Sequence, residues 1–265
     1  MNTVVAASRE AVGALPRIFW TGARPLERAW YVVAAVLVAS GLTHVAVLLL
    51  TGASWEGPTS LRKAATFGLS FGLTLATVVW ASAFIRLAPL LRGVVLSIFT
   101  VVCVLETALI TLQAWRGVPS HFNFETPFDT AVSMTLAGGG GVIIVVGLIL
   151  AGTALRRAAD LTPELRLALR FGFVTLLVAF ATGAVMIATG VTLVRSGDPA
   201  TAYATAGFLK PLHAVAMHAI LVLPGLAWLL GFTGWDAGRR LRVVRWSIMG
   251  YSALLVGAVI ISLLG

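Results

Sequence analysis

Seven long apolar stretches divide this sequence, and they constrain the fold more than any other feature. Each has about 20 residues or more, the length that an α-helix needs to cross the hydrocarbon core of a bilayer. Lipid offers no hydrogen-bond partner to backbone polar groups, so each stretch is predicted to be a helix that bonds internally. The stretches span residues 29–50, 64–87, 93–115, 130–155, 167–194, 212–232 and 243–264.

The composition agrees with an all-α, polytopic membrane protein. Of the 265 residues, 59% are hydrophobic and 11% charged, and the mean hydropathy of +0.98 is far above that of a soluble domain. We therefore expect a single seven-helix transmembrane domain at 29–265, preceded by an N-terminal segment at 1–28. Within that segment, 4–19 is predicted to be an interfacial helix, with Trp20 and Trp30 at headgroup depth.

The basic residues predict the orientation of the bundle. If the N-terminus is cytoplasmic and the C-terminus extracytoplasmic, fourteen of the nineteen Lys and Arg residues fall on the cytoplasmic side. This asymmetry follows the positive-inside rule, and it accounts for the formal charge of +9 through topology and anionic lipid. We expect the lipid bilayer, and no nucleic acid, as the macromolecular partner.

Glu106 is the only carboxylate inside an apolar stretch, and it begins the most polar part of the sequence. It lies ten residues, or about 15 Å, below Arg116 on the third predicted helix. The loop that follows holds His121 and ends at Asp129, among three phenylalanines that favour folding back onto the bundle. Glu106, His121 and Asp129 are the predicted catalytic residues, although an Asp129 that only caps the fourth helix is an alternative.

The other three histidines, His44, His213 and His218, are predicted to lie in the same outer half of the bundle. Neutral imidazoles on different helices suit zinc, copper or haem iron, so these three are the candidate metal ligands. His213 and His218 are five residues apart and point about 140° from each other, so we expect each to meet a different partner. Cations at the rim are candidate cofactor-binding residues that would meet haem propionates or another anion: Arg62, Lys63, Arg116 and Lys210.

Two glycine patterns concern helix packing. Gly68 and Gly72 have the G-x-x-x-G spacing that allows a neighbouring helix to approach closely. The run 138–141 consists of four glycines, which predicts close approach by a helix or room for a flat ligand.

The stretches SGLTH (40–44), LRKAATFGLSFG (61–72), ETALITLQAWRGVPSHFN (106–123) and KPLHAVAMHAILVLP (210–224) resemble an uncharacterised family of bacterial seven-helix integral membrane proteins. The resemblance extends from the first to the sixth predicted helix. It implies this fold, this set of polar residues and a place in the bacterial inner membrane, but no established activity. One departure is Lys210, where arginine is usual in the family. Lysine keeps the positive charge but cannot make the two parallel hydrogen bonds of a guanidinium group.

Three functions remain open from the sequence. The first is a histidine-ligated cofactor, a single b-type haem or a zinc or copper ion, for redox or hydrolytic chemistry. The second is a proton-coupled transporter of a small molecule, which a faint inverted repeat between 61–68 and 165–172 favours. The third is a structural or assembly subunit of the membrane. A small molecule or lipid from the outer leaflet is the expected ligand.

Overall fold

A computed structural model describes residues 2–156 and 161–264, with side chains from residue 9 onward. Within these ranges the chain is helical and has no β-strand element. The helices are α1 (Asn2–Pro16), a short π-helix (Arg17–Thr21), α2 (Pro25–Thr51), α3 (Arg62–Ser82), α4 (Pro89–Trp115), α5 (Pro127–Arg156), α6 (Pro163–Arg195), α7 (Pro199–Thr205), α8 (Lys210–Leu230) and α9 (Ala237–Leu264).

Seven of these helices, α2 to α6, α8 and α9, are long and apolar enough to cross a membrane. The prediction of a multi-pass bundle of seven spanning helices is therefore confirmed. The helices begin two to six residues earlier than the apolar stretches do, because several start at a proline whose fixed φ suits the first helical turn. The second span ends at Ser82 rather than at residue 87, and the sixth ends at Leu230 rather than at 232.

Close backbone contact joins α2 to α3, as the glycine spacing predicts. A Cβ on Gly68 would lie 2.8 Å from Cα of Gly41, and one on Gly72 would lie 2.7 Å from the Ala34 carbonyl oxygen. On the other side of the bundle, a Cβ on Gly172 of α6 would lie 2.8 Å from Cα of Ile220 on α8. These positions accept only glycine because any side chain would separate the two helices.

The faint repeat receives only partial support from this packing. Gly68 and Gly172 occupy the same position in the two similar segments, and both allow a helix to approach closely. Their partners do not correspond, however, because α2 precedes α3 whereas α8 follows α6. The similarity between the two segments is therefore explained by the close helix contact that each glycine allows, and it does not by itself indicate an inverted repeat.

Large apolar side chains fill the centre of the bundle between α3, α4, α5, α6 and α8. Phe99, Phe173, Leu75 and Leu176 are almost completely buried there. Trp30, close to the start of α2, packs against this core and is 4% exposed, whereas Trp20 is 54% exposed. The interior is thus filled mainly by apolar side chains, and buried threonines within it, such as Thr100 and Thr175, donate to carbonyl oxygens of their own helices.

We name the two ends of the bundle by a residue found at each. The His121 end contains the connectors 52–61, 116–126 and 196–209, and contacts among them confirm that they lie together. The Arg92 end contains the connectors 83–88 and 231–236 and the beginnings of α2, α4, α6 and α9.

Candidate functional site

Glu106 is buried in α4, and one of its carboxyl oxygens has no hydrogen-bond partner in the part of the chain that the structure describes. Its side chain lies nine residues from the end of α4 at Trp115, about 14 Å along the helix axis. The residue is 4% exposed, and its Oε1 atom has no partner among the described residues. A buried polar atom without a partner costs free energy, so this carboxyl group is not explained by stability.

Gly139 of α5 makes room for the Glu106 carboxyl group. A Cβ at this position would collide with Oε1 of Glu106 and lie 3.3 Å from its Cδ. The other three glycines of the run, Gly138, Gly140 and Gly141, would meet nothing within 4 Å. The close approach predicted for the glycine run is therefore correct only for Gly139, where the neighbour is a carboxyl group.

Lys63 and His121 connect this buried carboxyl group to the loop above it. The Nζ atom of Lys63, in the first turn of α3, lies 3.1 Å from Nδ1 of His121, and the Ser120 hydroxyl lies 3.1 Å from the same nitrogen. An ammonium group only donates, so Nδ1 of His121 accepts from it. The charge of Lys63 acts on Glu106 across the space between α3 and α4. We call Glu106, Lys63 and His121 the Glu106 cluster.

The imidazole of His121 is held neutral. Burial, and secondarily the neighbouring Lys63 ammonium, place the pKa of His121 well below its usual range. Two further cations, Lys210 and Arg62, also act on Lys63, and Glu106 is the carboxylate that opposes them. The cluster therefore combines a neutral histidine, a half-buried ammonium group and one carboxyl group, with positive charge in excess.

Asp129 belongs to a separate network, the Asp129 clamp, formed with Gln113, Arg116 and Thr126. Its Oδ1 accepts from Nε2 of Gln113 at 2.8 Å and from Arg116 at 2.6 Å, and its Oδ2 accepts from the Thr126 hydroxyl at 2.6 Å. Arg116 also donates to Oε1 of Gln113. The Asp129 backbone N–H donates to Thr126, which thereby caps α5. Both oxygens of Asp129 are thus engaged in fixing the loop to the start of α5, whereas Thr126, and not Asp129 as the alternative had it, caps the helix.

The loop at 116–126 folds back over the bundle, as its phenylalanines predict. The ring of Phe122 fits against Gly190 of α6, and the Phe122 carbonyl oxygen accepts from the Tyr203 hydroxyl at 3.3 Å. Ser133 of α5 donates to the Asn123 carbonyl oxygen at 3.0 Å. Phe122 has a positive φ of 62°, a strained conformation that the surrounding contacts hold in place. The loop is therefore a fixed cover above the Glu106 cluster.

His44 is a packing residue between α2 and α4. Its Nε2 accepts from the Trp115 indole N–H at 3.0 Å, and its Nδ1 lies 2.7 Å from the Ser40 carbonyl oxygen. Because an indole can only donate and a carbonyl can only accept, His44 is the neutral tautomer with its proton on Nδ1. Both ring nitrogens are occupied by the protein.

The two histidines of α8 have different surroundings, as their angular separation predicts. Nδ1 of His213 lies 2.8 Å from the Ala179 carbonyl oxygen and 3.3 Å from the Thr182 hydroxyl, both on α6. Nδ1 of His218 lies 2.6 Å from the carbonyl oxygen of Ala214 in its own helix, and its ring is exposed. The four histidines therefore occupy four separate environments.

These environments do not assemble the predicted metal centre. The described residues contain no group of three or more His, Cys, Asp or Glu side chains that could hold a metal ion. Of the predicted rim cations, Arg116 belongs to the Asp129 clamp and Arg62 lies 3.6 Å from the Glu56 carboxylate. The charges of Lys210 and Arg62 act on Lys63. The metal and haem predictions thus receive no support from the geometry.

Sequence reasoning missed several of the partners that fix these residues. Thr126 stands three residues before Asp129, a helix-capping pattern that could have identified it. No local pattern pairs Trp115 with His44, since the two lie on different helices. The same holds for the ion pairs at the Arg92 end, where Arg92 meets Glu27 and Arg240 meets Glu164.

Comparison with known proteins gives no match to a family model, to a curated protein or to a solved structure. The function must therefore be argued from the residues.

Proposed function

We propose that this protein is a proton-coupled transporter of the cell membrane, in which Glu106 carries the proton. The observation that supports the proposal best is the buried Glu106 carboxyl group, whose Oε1 lacks a partner while Gly139 keeps space for it. Ionisable groups inside membrane helices are expensive, and proton relays are one of the few functions that require them.

The Glu106 cluster has the chemical groups of a short relay. Glu106 can accept a proton on Oε1 without breaking a hydrogen bond to the described residues. Lys63 acts on Glu106 on one side and donates to His121 on the other. During proton entry, Lys63 can pass its proton to the Glu106 carboxylate, which leaves a neutral amine. That amine takes the next proton from His121, whose low pKa makes the imidazolium a transient donor. The three side chains thereby join the interior to the covering loop.

Orientation and substrate class follow from the charges. We place the N-terminus in the cytoplasm, because fourteen of the nineteen Lys and Arg residues then lie at the Arg92 end, inside the cell. The His121 end then faces outward in the inner membrane of a bacterium. Arg62 is paired with Glu56, but Lys63 and Lys210 outnumber the one carboxyl group of Glu106, and this excess of positive charge favours an anionic substrate.

The first experiment tests proton binding and needs no substrate. Infrared difference spectra of the protein in lipid, recorded as the external pH is changed, are expected to contain the C=O band of a buried carboxylic acid. This band should be absent in Glu106→Gln and shifted in Lys63→Met. Glu125→Gln is the matched control, because Glu125 is an exposed carboxylate at the same end. A spectrum that is identical in the wild type and Glu106→Gln would refute a protonating Glu106.

The second experiment tests transport. Proteoliposomes that enclose the pH indicator pyranine would be given succinate, glutamate or inorganic phosphate outside. We expect one of these anions to drive proton entry, and we expect Glu106→Gln to abolish the entry while Glu125→Gln leaves it unchanged. If Glu106 titrates but none of these anions moves protons, the relay stands and the proposed substrate class is wrong.

A further inference from the structure

A shallow groove lined by both polar and apolar side chains lies on the surface of the bundle between α3 and α8. Its lining includes Ser70, Thr74 and Thr77 from α3, and Met217, His218 and Leu221 from α8. Leu221 is 37% exposed, and His218 is exposed beside it, so the groove opens toward the surroundings of the bundle. A polar groove on a membrane helix surface is unusual because lipid tails cannot satisfy its hydrogen bonds.

The tautomer of His218 makes it an acceptor toward this groove. Its Nδ1 lies 2.6 Å from the Ala214 carbonyl oxygen, which can only accept, so Nδ1 carries the proton. In its neutral form the ring then has a bare Nε2 atom. Because the ring is exposed and lines the groove, this acceptor is available to an outside donor.

Ser70 and Thr74 add hydroxyl groups that the helix does not use. Most threonines of the spanning helices donate to a carbonyl oxygen of the preceding turn, as Thr77 does to Leu73 at 2.8 Å. Within the described residues the hydroxyls of Ser70 and Thr74 make no such bond, and both residues are partly exposed. Two hydroxyls on the α3 wall therefore face one imidazole nitrogen on the α8 wall, and none of the three is used by the described residues.

The depth of the groove in the membrane limits which molecules can reach it. His218 and Ser70 each lie eight residues from the start of their helix, about 12 Å below the His121 end. The helices α3 and α8 each have 21 residues, about 30 Å, which matches the hydrocarbon core itself. A phospholipid headgroup stays above this level, whereas a molecule dissolved in the hydrocarbon resides there.

The groove is also too shallow for a bulky group and has space for a single hydroxyl. Its edges are not those of a helix-docking face, because such faces are rich in small residues. Here Leu73, Leu221 and Val222 are 45%, 37% and 47% exposed at the edges. The geometry therefore favours a small polar group presented by an apolar molecule.

We propose that this groove binds the hydroxyl group of a membrane-dissolved quinol or phenol, with the ligand O–H donating to Nε2 of His218. Ser70 and Thr74 donate to and accept from the oxygen or ring substituents of the same ligand. The proposal concerns binding alone and does not depend on the role of Glu106, which lies in a different helix and makes no contact with the groove.

The test observes the His218 nitrogen directly. Full-length protein with ¹⁵N-labelled histidine would be placed in synthetic-lipid nanodiscs and titrated with decylubiquinol kept reduced, and separately with decylubiquinone. The His218 signal is assigned by its loss in His218→Leu. We expect the Nε2 signal to shift saturably with the quinol, and about tenfold more weakly with the quinone, which lacks the O–H donor.

Variants separate the groove from general effects on the bilayer. Thr74→Val should weaken quinol binding about five- to tenfold, the value of one hydrogen bond. Thr135→Val is the matched control, because Thr135 is exposed on α5 and donates to its own helix. Thermal unfolding of each variant checks that the bundle stays folded.

Three results would overturn the proposal. The first is a His218 signal that the quinol does not move, or that the quinone moves equally. The second is a Thr74→Val variant that binds as the wild type does. The third is a His218 shift that appears without ligand as protein crowds the bilayer, which would make the groove a contact between two copies of the chain.

Discussion

Arg92 and Glu106, near opposite ends of the bundle, have opposite surroundings. At the Arg92 end, the guanidinium group of Arg92 meets the carboxylate of Glu27, the hydroxyl of Ser82 at 3.1 Å and the carbonyl oxygen of Val79 at 3.3 Å. At the His121 end, Oε1 of Glu106 meets no partner among the described residues. A charge with several partners is held in one state, whereas a group that lacks them is free to change its state. We therefore expect a structural role for the Arg92–Glu27 pair and proton exchange at Glu106. The contrast concerns these groups and not the whole ends, because Asp129 is clamped at the His121 end and Oε2 of Glu164 lacks a partner among the described residues at the Arg92 end.

Removing the arginine at the first end should have the largest effect on stability. Arg92→Met leaves Glu27 without its partner, and the side chain of Glu27 is only 14% exposed. We expect a loss of about 3–5 kcal/mol in the free energy of unfolding, measured in mixed micelles with increasing denaturing detergent. Arg24→Met is the control, since Arg24 is mostly exposed and 3.9 Å from Glu27. Equal losses in both variants would show that Arg92 is not the principal partner.

Filling the space beside Glu106 should have the next largest effect. Gly139→Ala places a methyl group against the carboxyl group and is expected to cost about 1–3 kcal/mol of stability. It should also shift the infrared band of Glu106. Gly140→Ala, the neighbouring control, meets nothing within 4 Å and should be neutral or stabilising by up to about 1 kcal/mol. If Gly139→Ala and Gly140→Ala have the same stability and the same infrared band, Gly139 is not needed to make room for the Glu106 carboxyl group.

Neutralising a carboxylate at each end tests the comparison directly. Glu164→Gln removes the charge that faces Arg240 at 2.8 Å and should cost about 1–3 kcal/mol. Glu106→Gln breaks no hydrogen bond of Oε1 among the described residues and should change stability by less than about 1 kcal/mol. Unfolding titrations of both variants under one condition provide the measurement. A larger loss of unfolding free energy in Glu106→Gln than in Glu164→Gln would contradict the view that Glu106 is not a structural group.

The pH dependence of stability should show the smallest effect. The pKa of His121 is lowered by burial and by Lys63, so below about pH 6.5 the unfolded chain binds a proton that the folded protein does not. The neutral His121 therefore contributes its full stabilisation above about pH 6.5, and this contribution is lost as the pH decreases from 6.5 toward the folded pKa. In His121→Asn this part of the slope should disappear between pH 7 and pH 5. An unchanged slope would mean that other groups cause the acid sensitivity.

The position of the covering loop could be predicted from the sequence, but the partners of the histidines could not. The return of the loop over the bundle was predicted from the expected burial of its phenylalanines. Phe122 packs against Gly190 of α6 as expected, whereas Phe128 is 50% exposed. The prediction that His44 ligates a metal depended on its depth alone. Its actual donor, Trp115, lies 71 residues away on another helix, and only the packing of α2 on α4 brings them together.

The sequence by itself determined that the chain forms seven spanning helices, that small residues join some of them, and that Glu106 is an exceptional group. These features follow from local composition and spacing. Lipid offers no hydrogen-bond partners to the backbone, so a long apolar stretch in a bilayer has to form a helix. Only the tertiary structure decided which polar residues share a site. It separated the four histidines, joined Lys63 to His121 and left Oε1 of Glu106 facing Gly139. The reason is physical: partners within about 3 Å depend on helix rotation and the close contact of glycines, which no spacing along one helix specifies.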